Sequence, residues 1–321
     1  MTSITNTQAN ETASTSSKKI PLINPWLALA IALAAATFAG PFIKLSQEGG
    51  LPSPVVAAGR MSLAAIILTP LVLGRYRDDL RNLTGSDILW AMAGGVLLCV
   101  HFVLLIFALE NTSILIVTVI LNTGPLWVAL LERVFLKERV NKWVWLGLFI
   151  TIIGSTFIAF FADNETSAGA NNVLLGAGLS VTAAMCGASY ITLGRNIRQK
   201  ISLFPYIWIV FGFGGIVGII ISLASGTPIT GHPSGGYFWL LMLTLIPQLI
   251  GHSGFNYVLG YISATLTSLS NQMLTVTAAT AAFFIFGEVP GVVEVVGSLI
   301  IAVGVVMALL MRSRKKDVES T

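Results

Sequence analysis

The fold is indicated most directly by residues 107–140, which read FALENTSILIVTVILNTGPLWVALLERVFLKERV. From Thr112 to Phe135 this stretch is predominantly apolar, and a helix needs about 20 such residues to cross a hydrocarbon core roughly 30 Å thick. A related stretch returns 150 residues later, at 257–290, as YVLGYISATLTSLSNQMLTVTAATAAFFIFGEVP. These residues therefore combine a membrane-spanning segment with one copy of an internal repeat.

The repeat extends through three spans without a gap. A shift of 150 residues aligns Phe107 with Tyr257, Leu109 with Leu259, Ser113 with Ser263, Glu138 with Glu288, Gly147 with Gly297 and Gly154 with Gly304. A shift of 148 residues aligns Ala35 and Ala36 with Ala183 and Ala184, which extends the repeat to the start of each half. Each half then has five spans, and an odd number places the second copy upside down in the membrane.

Apolar runs of spanning length occur along the whole chain, of which 55% is hydrophobic and 10% charged. Soluble domains carry about 25% charged residues, so a soluble globular class is excluded. We predict an all-α integral membrane protein, because the runs are too long and too uniformly apolar for barrel strands. Ten spans are predicted, at about 26–46, 54–74, 87–109, 112–135, 143–161, 173–194, 204–225, 237–259, 263–286 and 292–311.

The basic residues predict the orientation of these spans. All 18 Lys and Arg residues except Lys44 and Arg60 fall in the tails or in loops on the side of the N-terminus. Because Lys and Arg concentrate in cytoplasmic loops, both termini are expected in the cytoplasm and the protein in the bacterial inner membrane. No loop is large enough for a nucleic-acid-binding domain, so no nucleic acid partner is expected despite the net charge of +4.

The domain organisation follows from the repeat. We predict a disordered cytosolic tail over 1–25, a first repeat over 26–161, a second repeat over 173–311 and a cytosolic tail over 312–321. Cys99 and Cys186 lie in apolar runs and are expected to be packing residues. Motifs for nucleotide binding, zinc proteases and serine hydrolases are absent, so the sequence predicts no enzyme, no cofactor and no metal.

Polar residues inside the spans are candidate binding residues, because each is costly in hydrocarbon unless it is paired or hydrated. The eighth span carries Thr244, Gln248, His252 and Asn256 at intervals of four, so they share one helix face. That face is expected to line a substrate cavity, or else to bond a neighbouring helix. His101 in the third span is expected at a similar depth, as a ligand for an anion, a proton relay or a neutral structural group.

A second polar group comes from the fourth and ninth spans. Asn122 and Gln272 are related by the repeat, and Asn271 lies beside Gln272. Amides both donate and accept hydrogen bonds, which suits zwitterionic or hydroxylated substrates, although packing between helices explains them equally well. Among the aromatic residues within spans, Trp127 and Tyr190 are candidates for the cavity wall.

Gating or structural roles are expected for Arg60, for two Gly-Pro pairs and for the repeat-related Glu138 and Glu288. Arg60 lies about two turns below the outer surface and must pair, hydrate or snorkel, with Glu48 or Glu110 as candidate partners. A structural or gate-latch role is favoured there over direct binding of a carboxylate. Gly40-Pro41 and Gly124-Pro125 interrupt helical hydrogen bonding, so Pro41 and Pro125 are candidate hinges.

Several of these residues also carry a resemblance to a known family. Leu136–Val140 around Glu138, and Phe286–Pro290 around Glu288, resemble the closing signature of an EamA repeat of the drug/metabolite transporter superfamily. His101-Phe102, Pro247–His252 and Gly59-Arg60 resemble the third, eighth and second helices of one bacterial branch. The resemblance implies ten helices, a central cavity lined by helices 1, 3, 4, 6, 8 and 9, and no nucleotide hydrolysis. The chain departs from the family at Leu274 and Thr275, where an acid and a proline are usual.

These observations predict a secondary transporter that moves a small polar metabolite across the lipid bilayer by alternating access. An exporter or exchanger of amino acids or amino-acid-like compounds is favoured. Protons and a counter-substrate are the candidate coupling partners, and a uniporter without coupling is the alternative. Transport of nucleotide-derived or drug-like organic cations is the alternative. A membrane enzyme on lipid-linked substrates and a non-transporting scaffold are the alternatives of another class. A monomer and a homodimer are both compatible with the sequence.

Overall fold

The computed structural model describes residues 21–112, 114–137, 140–161, 172–277 and 291–318, which contain helices and turns and no strand. Their helical segments group into ten spans, numbered here in chain order. They are α1 (Pro25–Ala36 and Ala39–Glu48), α2 (Ser53–Arg75), α3 (Gly85–Asn111), α4 (Ile114–Leu121 and Gly124–Phe135), α5 (Lys142–Phe161), α6 (Val173–Arg198), α7 (Leu203–Ala224), α8 (Ser234–Leu243, Thr244–His252 and Ser253–Val258), α9 (Ala264–Ser270, helical again over 273–277) and α10 (Val292–Val318). A short helix, Arg77–Arg81, follows α2.

Six helices in the described ranges are long and apolar enough to cross a membrane. They are Pro25–Glu48, Ser53–Arg75, Gly85–Leu105, Leu174–Arg198, Leu203–Ala224 and Ser234–Val258. The remaining four spans consist of shorter apolar pieces, among them Lys142–Ile158 and Val295–Ala308. The predicted all-α membrane fold is confirmed. The helix ends differ most in two places, since α6 continues to Arg198 and α10 to Val318, beyond the predicted ends at 194 and 311.

Local sequence explains where several spans begin. Thr84 and Asp87 form a capping box at the start of α3, in which each side chain bonds the backbone N–H of the other residue. Asn172 caps α6 by accepting from the N–H of Leu175, and Ser263 caps α9. Each cap satisfies a backbone donor that a helix leaves unpaired at its first turn, so the span starts there.

Both Gly-Pro pairs coincide with breaks in their helices. The α-helix of α1 is interrupted at Thr37 and Phe38, one turn before Pro41, because the proline has no N–H to bond the carbonyl four residues earlier. The α4 helix is interrupted at Asn122 and Thr123, and Pro125 begins its second half. The α9 helix has turns at residues 271 and 272, one position before the repeat equivalents of the α4 break, which are 272 and 273. Two repeat-related spans therefore break within one residue of equivalent positions.

In α8 the middle segment, Thr244–His252, is a π-helix that contains Pro247. A π-helix has wider turns than an α-helix and is often found at functional sites. The sequence predicts a continuous α-helix here. The wider turns redirect the side chains that follow Pro247, and three of the predicted site residues lie on this part of α8.

Close packing of α5 against α10 explains the glycine pairs spaced seven residues apart. A Cβ on Gly147 would lie 2.6 Å from the carbonyl oxygen of Gly304, and a Cβ on Gly154 would lie 2.9 Å from that of Gly297. The order of the partners is reversed along the two chains, so α5 and α10 run antiparallel. These glycines pack two helices within one chain, as small residues often do in membranes.

Candidate functional site

A cavity of about 370 Å³ lies in the middle of the bundle. Residues from α1, α3, α4, α6, α8 and α9 line it, which are the six helices that the family resemblance implies. Its polar lining comprises His101, Tyr190, His252, Asn256, Thr267, Ser268, Asn271 and Gln272. Small-molecule sites usually measure about 300–1,000 Å³, so the cavity has room for a small metabolite.

The polar face of α8 divides between the cavity and a neighbouring helix. His252 and Asn256 line the cavity, whereas Gln248 is fully buried behind its wall. The Oε1 atom of Gln248 accepts a 2.7 Å hydrogen bond from Nε of Arg60 on α2. Thr244 bonds the carbonyl of Leu240 within its own helix. The second half of this face therefore lines the cavity, and Gln248 in the first half bonds a neighbouring helix.

The two cavity histidines have different surroundings. Nδ1 of His101 lies 2.7 Å from the carbonyl oxygen of Ala183 on α6, so this nitrogen carries the proton and donates. Gly187 allows that approach, because a Cβ there would lie 3.0 Å from Nδ1 of His101. The ring of His252 makes no hydrogen bond to the described residues, and its edge meets Phe102 at a centroid distance of 6.3 Å. His252 is thus the histidine whose ring nitrogens remain available to a ligand.

Asn256 and Tyr190 form a buried pair in the cavity wall. The Tyr190 hydroxyl donates to Oδ1 of Asn256 at 3.1 Å and accepts from Nδ2 at 2.8 Å. Nδ2 of Asn256 also bonds the carbonyl of His252 at 2.8 Å. These bonds hold the amide in one orientation, and the structure brings both predicted residues to the cavity.

The amides of α4 and α9 are also brought together, with different exposure to the cavity. Nε2 of Gln272 donates to the carbonyl oxygen of Asn122 at 2.7 Å, a contact between repeat-related positions. Asn271 and Gln272 line the cavity, while Asn122 lies behind them. Oδ1 of Asn271 is buried without a hydrogen-bond partner among the described residues. The cavity lining therefore includes a buried amide oxygen, Oδ1 of Asn271, that has no donor among the described residues.

Trp127, a candidate for the cavity wall, lies outside the cavity lining in this structure. Its ring packs beside a small core cluster that includes Val128 and Leu259, and its indole nitrogen donates to Thr123 at 3.2 Å. Pro125 lines the cavity next to the break in α4. It lies four positions before the buried Ala129. Pro41 lies in α1 beyond the break of that helix and is buried outside the lining. Glu138 and Glu288 lie outside the described residues.

Among the described side chains, Arg60 has no acidic partner. Its guanidinium makes no ion pair with Glu48 or with another described carboxylate, and the side chain of Glu110 lies outside the described atoms. Instead, Nε of Arg60 bonds Gln248, and the guanidinium carbon lies 5.0 Å from the ring centroid of Phe102. The side chain is 3% exposed. Arg60 is therefore a buried cation beside the cavity, separated from it by Phe102.

Polar contacts connect α4 and α6 with the turn between α8 and α9, beside Leu259 of the cavity lining. Glu132, at the end of α4, is 1% exposed and accepts from the backbone N–H groups of Ala264 and Thr265 at 2.8 and 3.0 Å. It also accepts from the Thr265 hydroxyl. Arg195 of α6 donates to the carbonyl of Leu259 at 3.0 Å. Sequence reading missed Glu132, although an acid just after the apolar run ending at Leu131 was a visible signal.

The comparisons with known proteins agree with this architecture. The sequence profile of the EamA-like transporter family matches residues 24–160 and 174–310. The uncharacterized transporter YdfC of Bacillus subtilis is 23% identical over 88% of this chain and 89% of its own length. The uncharacterized transporter YyaM of the same organism is 26% identical, over 78% and 83%. The riboflavin transporter ImpX of Fusobacterium nucleatum is 20% identical, over 77% and 85%.

One solved crystal structure superposes with a TM-score of 0.77 at 13% identity and covers 90% of this chain and 98% of its own. At that identity the likeness concerns the fold alone. The profile match is the stronger finding, because it covers both halves of the chain and leaves out the segment that separates the fifth and sixth spans. The chain belongs to the EamA-like transporter family and is a multi-pass membrane protein.

Proposed function

We propose that this chain is a secondary transporter of small polar metabolites, with amino acids and amino-acid-like compounds as the leading substrate class. The observation that supports the proposal is the charge of the site. The described lining of the cavity contains two histidines, amides and hydroxyls and no acid, and the buried cation Arg60 lies behind its wall. A site of this kind favours a solute that carries a carboxylate.

The amide groups complement the other half of an amino acid. Oδ1 of Asn271 is a buried acceptor without a described partner, and an ammonium group is a donor with three hydrogens. The hydroxyls of Thr267 and Ser268 add acceptors on the same helix. A zwitterion could thus bond donors at the Arg60 side and acceptors at the α9 side.

The alternative of an organic cation is less well supported. Cation sites usually place a carboxylate near the charge, and the described cavity lining has none. Leu274 lines the cavity at the position where the family resemblance implies an acid. An added cation would also be repelled by Arg60.

Alternating access is the mechanism that these features support. The charge distribution of the loops would put the α8–α9 turn at the cytoplasmic side of the inner membrane, so the contacts of Glu132 and Arg195 would form the cytoplasmic closure. The breaks in α1, α4 and α9 would be the hinges. The antiparallel packing of α5 and α10 supports inverted halves that exchange the open and closed ends, driven by a counter-substrate or by protons.

Counterflow in proteoliposomes tests the proposal. Vesicles loaded with one unlabelled solute would be diluted into the same solute in radiolabelled form, using the twenty amino acids, riboflavin and an organic cation such as tetraphenylphosphonium. At least one amino acid is expected to accumulate transiently in vesicles with protein and not in empty vesicles. Exchange of riboflavin or the cation together with no exchange of any amino acid would overturn the proposed substrate class.

A further inference from the structure

Arg60 occupies a position where a purely structural cation would be poorly stabilised. The α2 helix packs closely against α8 and α7, since a Cβ on Gly59 would lie 2.7 Å from the Leu240 side chain and one on Gly215 would lie 2.6 Å from the Ser62 hydroxyl. The guanidinium between these helices is shielded from solvent and lipid. A charge in such surroundings is costly unless it meets an opposite charge or a full set of hydrogen bonds.

The contacts of Arg60 leave donors unused. Nε bonds Gln248, but Nη2 of Arg60 and Nε2 of Gln248 are both buried with no acceptor among the described residues. Nη2 lies on the same edge of the planar guanidinium as Nε, so the two unused donors are neighbours. Flipping the Gln248 amide does not satisfy these donors. The amide has a single oxygen, and the three N–H bonds on Nε and Nη2 of Arg60 compete for it. Such a pair of buried donors needs an acceptor from elsewhere.

The cavity is the available source of that acceptor. Phe102 lines the cavity on one side and covers the guanidinium on the other, 5.0 Å from ring centroid to the guanidinium carbon. His252 meets the Phe102 ring at 6.3 Å and has no described hydrogen bond of its ring. A turn of the Phe102 side chain would connect the two unused donors with the cavity, next to a third donor on His252.

We propose that Arg60, Gln248 and His252 form a carboxylate subsite, reached from the cavity past Phe102, which binds the acid group of the transported solute. This inference rests on the proposed function for the identity of the solute, and it assigns the recognised group. A guanidinium edge offers two parallel N–H bonds that match the two oxygens of a carboxylate. The amide of Gln248 keeps the guanidinium in place and contributes a further donor.

A structural pin between α2 and α8 is the simpler explanation of the same hydrogen bond. If Arg60 and Gln248 only hold α2 and α8 together, a carboxylate at position 248 strengthens their contact. It would neutralise the charge and accept from both Nε and Nη2 of Arg60. If they form a subsite, the same change abolishes solute binding, because the carboxylate of the protein would replace the one on the solute. Gln248→Glu therefore separates the two explanations in a protein that keeps its fold.

The binding test uses purified protein and three sets of probes. N-acetyl amino acids carry the carboxylate alone, amino-acid amides carry the ammonium alone, and inorganic phosphate is an anion without an amino-acid frame. Binding is measured as the rise in unfolding temperature with probe concentration, at constant ionic strength. Gln47→Glu, the same change at an exposed position of α1, is the matched control.

The wild type and Gln47→Glu are expected to be stabilised by N-acetyl amino acids and not by the amides. Gln248→Glu and Arg60→Met are expected to weaken that binding about 10-fold or more. Unchanged binding in Gln248→Glu, equal binding of amides, or stabilisation by phosphate alone would overturn the subsite. Arg60-dependent binding of N-acetyl amino acids without counterflow of any amino acid would keep the subsite and reject the proposed substrate class.

Discussion

Two buried charges in the bundle, Glu132 and Arg60, are stabilised in different ways. Glu132 accepts hydrogen bonds from two backbone N–H groups and one hydroxyl at the first turn of α9. Arg60 makes one hydrogen bond, lies against the face of Phe102, and retains a buried donor without a partner. A buried charge whose bonding is complete within the protein serves the fold. One whose bonding is incomplete is a candidate to bind something that comes and goes.

The comparison predicts the largest loss of stability when Glu132 is removed. Glu132→Ala leaves two buried N–H groups without an acceptor, at about 1–3 kcal/mol each, so the free energy of unfolding is expected to fall by about 3 kcal/mol. Unfolding in mixed micelles with increasing sodium dodecyl sulfate measures it. Glu132→Gln keeps one acceptor and should lose about half as much. Equal stability of Glu132→Ala and the wild type would show that the hydrogen bonds of Glu132 do not stabilise the start of α9.

A smaller loss is expected at the buried pair of Tyr190 and Asn256. Tyr190→Phe removes the hydroxyl that both donates to and accepts from Asn256, at a cost of about 1 kcal/mol. The same unfolding experiment measures the change. Tyr237→Phe is the control. Tyr237 lies near the start of α8, and its hydroxyl donates to the carbonyl of Ile229, away from the cavity. A loss above about 3 kcal/mol in Tyr190→Phe would show that this pair stabilises the fold as strongly as Glu132 does.

The smallest change is expected when the incomplete site is made apolar. In the double variant Arg60→Met and Gln248→Leu, the charge and the unused donors disappear together. Apolar replacement of buried polar groups at similar volume is often neutral, so the free energy of unfolding is expected to change by about 1 kcal/mol or less. Counterflow of amino acids should be lost in this folded variant. A large loss of stability would show that Arg60 serves the fold, as the sequence alone suggested.

The sequence predicts much of the fold because spanning helices depend on length and apolarity, which are local properties. The breaks beside Pro41 and Pro125 were predictable for the same reason, since a missing N–H acts on its own helix. His252, Asn256 and Asn271, which line the cavity, were predicted as candidates because polar residues are conspicuous in apolar spans.

Contacts between distant segments could not be predicted in this way. The partners of Glu132 are backbone N–H groups more than a hundred residues later, and backbone donors leave no mark in a sequence. Gln248 bonds Arg60 across 188 positions, where an acid was expected. The π-helix around Pro247 changes the direction of the α8 side chains, so the four-residue spacing alone did not indicate which of them reach the cavity.

The central claim is that the cavity accepts carboxylates because it is next to a buried cation and has no acid in its described lining. Leu274 lines the cavity and is half-buried, so Leu274→Glu would add the opposing charge and Leu274→Gln is the neutral control of equal size. The direct measurement is the initial rate of amino-acid counterflow in proteoliposomes for these two variants and the wild type. The account predicts a rate near the wild type for Leu274→Gln and a loss of about 10-fold or more for Leu274→Glu. Equal rates for the two variants would contradict it.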